Sequence, residues 1–411
     1  MALQDIYKKA SLVMKPAAMK EGKLYSQQPH SGDGDFTFSR ANGTQTRINK
    51  HGLIEAVADN TPRLSYELDS NGNVSECPHL LLEPSRTNLL SYSSDFSNWS
   101  DSGVTVTSND TLAPDGTQSA DKLVSSANNW RKSKSFTAVN ETTYTASIFV
   151  KLDTNTNTDT VQLEIFKGSS GLVCGFNLFN KTITQNTGLT DVFIEEYPND
   201  WYRIGGTYTA NGTTNIIYVY PSTGYSVSGT AYFWGAQAEA GSYATSYIPT
   251  EGSAAQREQD KCLNGGDVNL FNDSECTLFL DIENFSGNTR ELTLSNGTSS
   301  NRVAIIFYGA SNVIRFYVAN SSGAQADSIF TLSYTFDQRN KIAFKYKQND
   351  FKAYINGVQV FSDPSGNTLI GLSRFDFATA SAASNFIEGK IHQAMILNEA
   401  LSDSELIELT S

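Results

Sequence analysis

Three of the four tryptophans stand beside residues able to bond sugar hydroxyls: Trp99, Trp130 and Trp201. Glycan recognition stacks flat aromatic faces on the C–H faces of sugars, while Asn, Asp, Gln and Arg bond the hydroxyls. Asn129, Trp130 and Arg131, just before a short alternating stretch, make the best candidate for an exposed platform, in competition with plain loop packing. Trp201 and Arg203 open a strand-like run, so packing is the favoured role for Trp201, and Trp234 is expected to close a core.

Other chemistries find less to work with. Glycoside hydrolysis needs two carboxylates about 5–10 Å apart across a cleft. Asp281 and Glu283 lie two apart on a strand-like run, hence on one face, where a solvated sheet surface is favoured; Glu195 and Glu196 are adjacent and must point apart. His30, His51, His79 and His392 are the only histidines, and no nucleophile elbow or phosphate-binding glycine loop accompanies them. No catalytic residue is therefore assigned. Cys77, Cys174, Cys262 and Cys276 form no C-x-x-C pair, so no metal ligand is assigned; Cys262 and Cys276 could pair, with free thiols favoured. No cofactor is expected, and calcium, which an acidic surface would suit, lacks a loop motif.

A net charge of −13 argues against a nucleic-acid partner, which needs clustered Lys and Arg. At 411 residues the chain suits two or three domains, and 11% aromatics allow substantial cores. The N-terminus lacks a signal-peptide core, and no window approaches a membrane span.

The elements that must carry these residues are strands. Val104–Thr107, Tyr144–Lys151, Val161–Phe166, Trp201–Gly205, Asn215–Tyr220 and Ala231–Trp234 alternate between turn residues, the pattern of an antiparallel sandwich or jelly roll. A second set runs from Glu275 to Leu397, and Asn356-Gly357 between alternating strands predicts a type I′ hairpin. Ser402 with Glu405 predicts a capping box on a short last helix. At the start, Leu3, Ile6, Tyr7 and Ala10 follow helical spacing that Pro16 would end. So short a helix must dock on its own neighbouring domain or on a partner. The expected fold class is all-β: two antiparallel sandwiches after a helix-and-hairpin region, divided as 1–87, 88–258 and 268–411.

The strings DFTFSRANGTQTRIN (35–49), GLIE (52–55), PRLSYE (62–67), LEPSRTNLL (82–90) and WGAQAEAGSYATSYIPT (234–250) together resemble a module of tailed-phage virion proteins. That module holds a carbohydrate-binding-like sandwich. AFKYKQNDFKAYINGVQV (343–360) and IEGKIHQAMILNEALSDSEL (387–406) resemble the laminin-G/concanavalin-A-like lectin fold. The resemblance implies a structural or adhesive virion protein of the head-fibre, decoration or tail-adhesin kind. It would be made in a bacterial cytoplasm and carried in the virion. Residues 1–87, with Leu3, Ile6, Tyr7 and Ala10, would anchor it to capsid, portal or tail subunits, and the sandwiches would meet cell-surface or mucosal glycans. A homo-oligomer, in many such proteins a trimer, is implied by resemblance alone. A glycan depolymerase and a purely structural decoration protein remain the alternatives.

Overall fold

The computed structural model describes residues 3–41, 43–126, 131–153, 159–222, 228–284, 287–309, 312–333 and 335–411. Strands dominate, as the alternating patterns predict. In the central sandwich, one six-stranded sheet runs in the order Ser100–Ser102, Arg131–Thr137, Thr214–Tyr220, Thr160–Phe166, Gly171–Asn177, Thr182–Asn186. Its partner runs Val104–Leu112, Gln118–Ser125, Gly229–Ala240, Thr143–Leu152, Trp201–Thr209, Thr190–Tyr197. Val161, Leu163, Ile165, Ile217 and Val219 alternate inward to meet Ile148, Val150 and Phe233 from the facing sheet.

The C-terminal sandwich pairs a five-stranded sheet, ordered Gly323–Thr331, Val313–Asn320, Arg302–Phe307, Arg290–Ser295, Arg374–Asp376, with an eight-stranded one. Within the latter the hairpin Phe351–Ile355/Val358–Asp363 turns on Asn356 and Gly357, both at positive φ (48° and 78°), the type I′ conformation the pair predicts. The last helix, Asp403–Thr410, carries the expected capping box between Ser402 and Glu405.

The eight-stranded sheet is completed from the other end of the chain. Its strand Gly389–Leu397 pairs on one side with Glu275–Asn284. On the other side Ala10–Met14 covers residues 394–397 and His79–Leu82 covers 389–391. Leu12, Met14, Phe36, Phe38, Leu64, Leu80 and Leu82 share one core with Leu278, Phe344 and Ile396. Ile48, Ile54 and Leu68 pack instead on Trp201, Trp234, Phe149 and Tyr247. Residues 1–87, read from the sequence as a region apart, are thus the filling between the two sandwiches. Trp201 and Trp234 do pack, but against this filling and not in the sandwich interior.

The sequence also predicts a helix continuing to Pro16; the structure has a helix only over Leu3–Tyr7, followed by the strand Ala10–Met14. Leu12, Val13 and Met14 gain a ladder and a core by pairing with the last strand, and tertiary burial outweighs helical spacing. Ile6 and Ala10 are buried against the C-terminal sandwich, the Tyr7 hydroxyl donates to Gln393 Oε1 at 2.8 Å, and Leu3 stays exposed. The docking open in the sequence is therefore met within the chain for Ile6, Tyr7 and Ala10.

Arg86–Asn88 pairs antiparallel with Ala255–Arg257, so the chain enters and leaves the central sandwich through a two-stranded neck. Beside the neck lies a buried charge network. Asp260 accepts from Arg40 Nη1 (2.7 Å), from Arg63, and from the Glu83 backbone N–H (2.8 Å). Glu83 also engages Arg63, Arg257 and Ser246. Burial alone would raise the Glu83 carboxyl, but Arg257, Arg63 and the Ser246 hydrogen bonds hold it far below the usual carboxylate range. Every one of these residues belongs to a quoted string or lies just after the last, which gives the strings a physical meaning: they build the junction.

Across the seam between His79–Leu82 and Gly389–Leu397, the rings of His79 and His392 stand 5.7 Å apart. His79 Nδ1 and His392 Nε2 have no hydrogen-bond partner among the described residues. Burial, Lys390, His392 and Arg63 lower His79, with Glu83 opposing; burial, Arg339 and Lys390 lower His392, with Asp281 and Glu67 opposing. Both imidazoles therefore take up a proton less readily when folded than when unfolded. Below the unfolded value of about 6.5 the unfolded chain binds more protons, so stability falls as pH falls through that value. The unfolding free energy from urea titrations should drop between pH 7 and 5, by up to about 1.4 kcal/mol per pH unit for each group. His79→Gln should flatten the slope, and an unchanged slope would reject this assignment.

Candidate functional site

Each sandwich presents one arginine–tyrosine surface on the outward face of a sheet. In the central sandwich, alternation sends Arg131 and Ser133, Tyr218 and Tyr220, and Gln162 and Glu164 to the same face, opposite the core. The Arg131 guanidinium lies over the Tyr218 ring at 3.7 Å. It also donates to the Tyr220 hydroxyl at 2.8 Å and approaches Glu164 Oε2 at 3.3 Å. The Tyr220 hydroxyl in turn donates to Glu164. On the next strand Gly171 leaves room for that carboxylate, since a Cβ there would stand 2.7 Å from Glu164 Oε1. Arg131 and Tyr218 are half-buried at the surface, over a buried Glu164 and Tyr220. Of the platform expected from the sequence, Arg131 takes part; Asn129 and Trp130 lie outside the described residues.

In the C-terminal sandwich, Arg302, Arg315, Tyr317 and Asp327 share the outward face of the five-stranded sheet. Tyr317 has Arg315 at 4.4 Å and Arg302 at 5.2 Å from its ring centre. Asp327 holds Arg315 through two hydrogen bonds of 2.6 and 2.7 Å, which fixes the guanidinium plane. At the base Glu291 Oε1 lies 3.1 Å from Arg302 Nη1. Burial pushes the Glu291 carboxyl up, and Arg302 and Arg315 only partly offset it. Glu291 Oε1 and Arg302 Nε, both buried, lack a hydrogen-bond partner among the described residues. Buried polar atoms without hydrogen bonds are rare and costly; Glu291 Oε1 is offset by its ion pair with Arg302, whereas Arg302 Nε has no acceptor among the described residues.

The sequence reading passed over this second surface and over Tyr218, Tyr220 and Glu164. The signal was present in the alternation: Arg315 and Tyr317, like Tyr218 and Tyr220, stand two apart in strands whose intervening residues are apolar. What alternation leaves open is which neighbouring strands bring the arginines alongside. Of the carboxylates considered for hydrolysis, Asp281 takes two 2.8 Å hydrogen bonds from Arg339, Glu283 pairs with Lys390 at 2.7 Å and Glu196 pairs with Lys181. Cys262 and Cys276 are buried free thiols. No group of three or more His, Cys, Asp or Glu suited to a metal ion occurs among the described residues. No helix among them is long and apolar enough to cross a membrane.

The family described as the concanavalin A-like lectin/glucanase superfamily matches residues 276–407, which is the C-terminal sandwich without its N-terminal strands. No curated protein matches the chain. Among solved structures, the chain is similar to the CBM40 of a Ruminococcus gnavus IT-sialidase bound to α2,3-sialyllactose. That match has 15% identity and a TM-score of 0.31, over 36% of this chain and 94% of that one. It is similar to domain 4 of a GH43 extracellular arabinanase from Geobacillus stearothermophilus in complex with arabinotriose, with 16% identity and a TM-score of 0.30 over 41% and 83%. A heptameric SAP-like pentraxin from Limulus polyphemus matches at 12% identity and a TM-score of 0.27 over 33% and 70%. Those scores assign neither ligand nor activity to this chain.

Proposed function

We propose that this chain is a non-enzymatic glycan-binding protein displayed on the particle of a tailed phage, with one binding surface in each sandwich. The observation that carries the glycan reading is the Arg302–Tyr317–Arg315 surface, with the Glu291–Arg302 ion pair at its base and a buried Arg302 Nε that has no acceptor among the described residues. A ring and two guanidinium planes suit the flat C–H faces of sugars. The Arg302 Nε–H beside them suits a sugar hydroxyl, which would give it the acceptor it otherwise lacks. The lectin-like match over residues 276–407 supports a sandwich of the right kind for this surface.

The virion part of the proposal rests on the resemblance of the quoted strings. Attachment would use the pole where the Leu3–Tyr7 helix meets the Asp403–Thr410 helix, with Leu3 and Ile407 exposed there. The depolymerase alternative lacks a supporting observation, since Asp281 and Glu283 are tied to Arg339 and Lys390.

The test is a glycan array probed with the full chain and with Tyr317→Ala. Binding to a defined glycan set, weakened about tenfold by the substitution, is the expected result. Release of reducing sugar by the purified protein, or binding indifferent to Tyr317, would overturn the reading.

A further inference from the structure

A cleft of about 1060 Å³ opens where the two sandwiches and the filling between them meet. It lies apart from both arginine–tyrosine surfaces, and nothing in the proposed glycan reading uses it. Three runs of four or more consecutive residues line it: 65–70, 194–197 and 242–247. Residues 194–197 touch it in succession, and Arg203 and Phe149, cross-strand neighbours of Glu195, line it too, so the cleft reaches from the strand's edge over one face of the sheet, with the Gly72 turn set against Tyr197 at one end. Residues 194–197 belong to Thr190–Tyr197, the edge strand of its sheet, bonded only to Trp201–Thr209. Across the cleft, residues 67–69 are bonded on one side to 73–75 and turn their other side to the same space. The cleft therefore has the form of a slot beside an open strand edge.

The walls are acidic. Eight carboxylates line the cleft against four basic side chains. Arg47 is paired with Glu55, Lys181 with Glu196, and Lys390 with Glu67 and Glu283. Arg203 lies buried beneath and bonds Ser147. Asp69, Asp191, Glu195 and Asp337 have no ion-pair partner among the described residues. His79, 3% exposed, also lines the cleft, and its Nδ1 has no hydrogen-bond partner among the described residues.

From this geometry we infer that the cleft binds an extended, lysine- or arginine-bearing segment of a partner protein, added as a strand along Thr190–Tyr197. Backbone hydrogen bonds to the open edge supply affinity without regard to sequence, and unpaired carboxylates select basic side chains. Excess acid on both walls disfavours an acidic segment, because like charges brought together are repelled.

The experiment uses the full chain and two synthetic decapeptides, one alternating Lys with Val and one alternating Glu with Val. Calorimetry at low and moderate salt is combined with hydrogen–deuterium exchange. The Lys peptide is expected to bind about tenfold or more tightly than the Glu peptide, with salt weakening the difference. It should also slow amide exchange within Thr190–Tyr197. Glu195→Lys with Asp337→Lys, both at exposed positions that the fold tolerates, should abolish the preference. Equal binding of the two peptides, no binding of either, or a neutral oligosaccharide protecting Thr190–Tyr197 in their place would overturn the inference. Glycan-array binding through Tyr317 is read separately, so either result stands without the other.

Discussion

Asp260→Ala is expected to destabilise the protein by about 3–5 kcal/mol, the cost of stripping one partner from a buried ion network. Asp260, Arg40 and Arg63 are essentially fully buried. Without the carboxylate, two guanidinium groups would stay buried in the junction, Arg40 with the carbonyls of Ala58 and Thr61 as partners and Arg63 with Glu83 as its one remaining carboxylate. The Glu83 backbone N–H would also lose its acceptor. Urea unfolding of the full chain measures the loss. Asp327→Ala, which removes the partner of the part-exposed Arg315, is the control and should cost no more than about 1 kcal/mol. If Asp260→Ala costs no more than Asp327→Ala, the junction does not tie the parts together.

The second large effect concerns avidity. If each sandwich holds one weak sugar site, a repeating glycan can engage both, and the second contact is made at the high effective concentration set by the first. Disabling one surface, by Tyr218→Ala or by Tyr317→Ala, is expected to lower apparent affinity for a long glycan by about 10²-fold. The double variant should lose binding. On a short oligosaccharide that reaches one surface alone, each single variant should leave the other surface's binding intact. Surface plasmon resonance with polymer and oligomer in parallel makes the comparison. Equal losses on the two ligands would show that the surfaces work independently.

Much of the fold was legible because the sandwiches rest on local signals. Alternation located the strands, Asn356-Gly357 fixed a hairpin, and Ser402 with Glu405 fixed the last helix cap. What the sequence does not carry is which distant strands pair. Nothing local in Ala10–Met14 says that its partner lies at residues 394–397, so helical spacing, right over Leu3–Tyr7, was carried past it toward Pro16, where the fold has a strand. The site followed the same rule. Arg131 was legible from its polar neighbours, whereas Tyr218 and Glu164 join it only through register with strands about ninety and thirty residues away. The signature strings were legible as a signature, but their role as buried junction residues needed the structure. An arginine in a string gives no sign of whether it faces solvent or, like Arg63, two buried carboxylates.

The completion of the eight-stranded sheet by Ala10–Met14 and His79–Leu82 has a consequence for biosynthesis. Both segments leave the ribosome roughly three hundred residues or more before the strand they flank, Gly389–Leu397. Until then Leu12, Met14, Leu80 and Leu82 have no ladder to join, while the intervening jelly roll can already close on itself. Nascent chains should therefore carry a folded middle between two waiting ends, and a truncation before residue 389 should leave those leucines for chaperones or proteases to find.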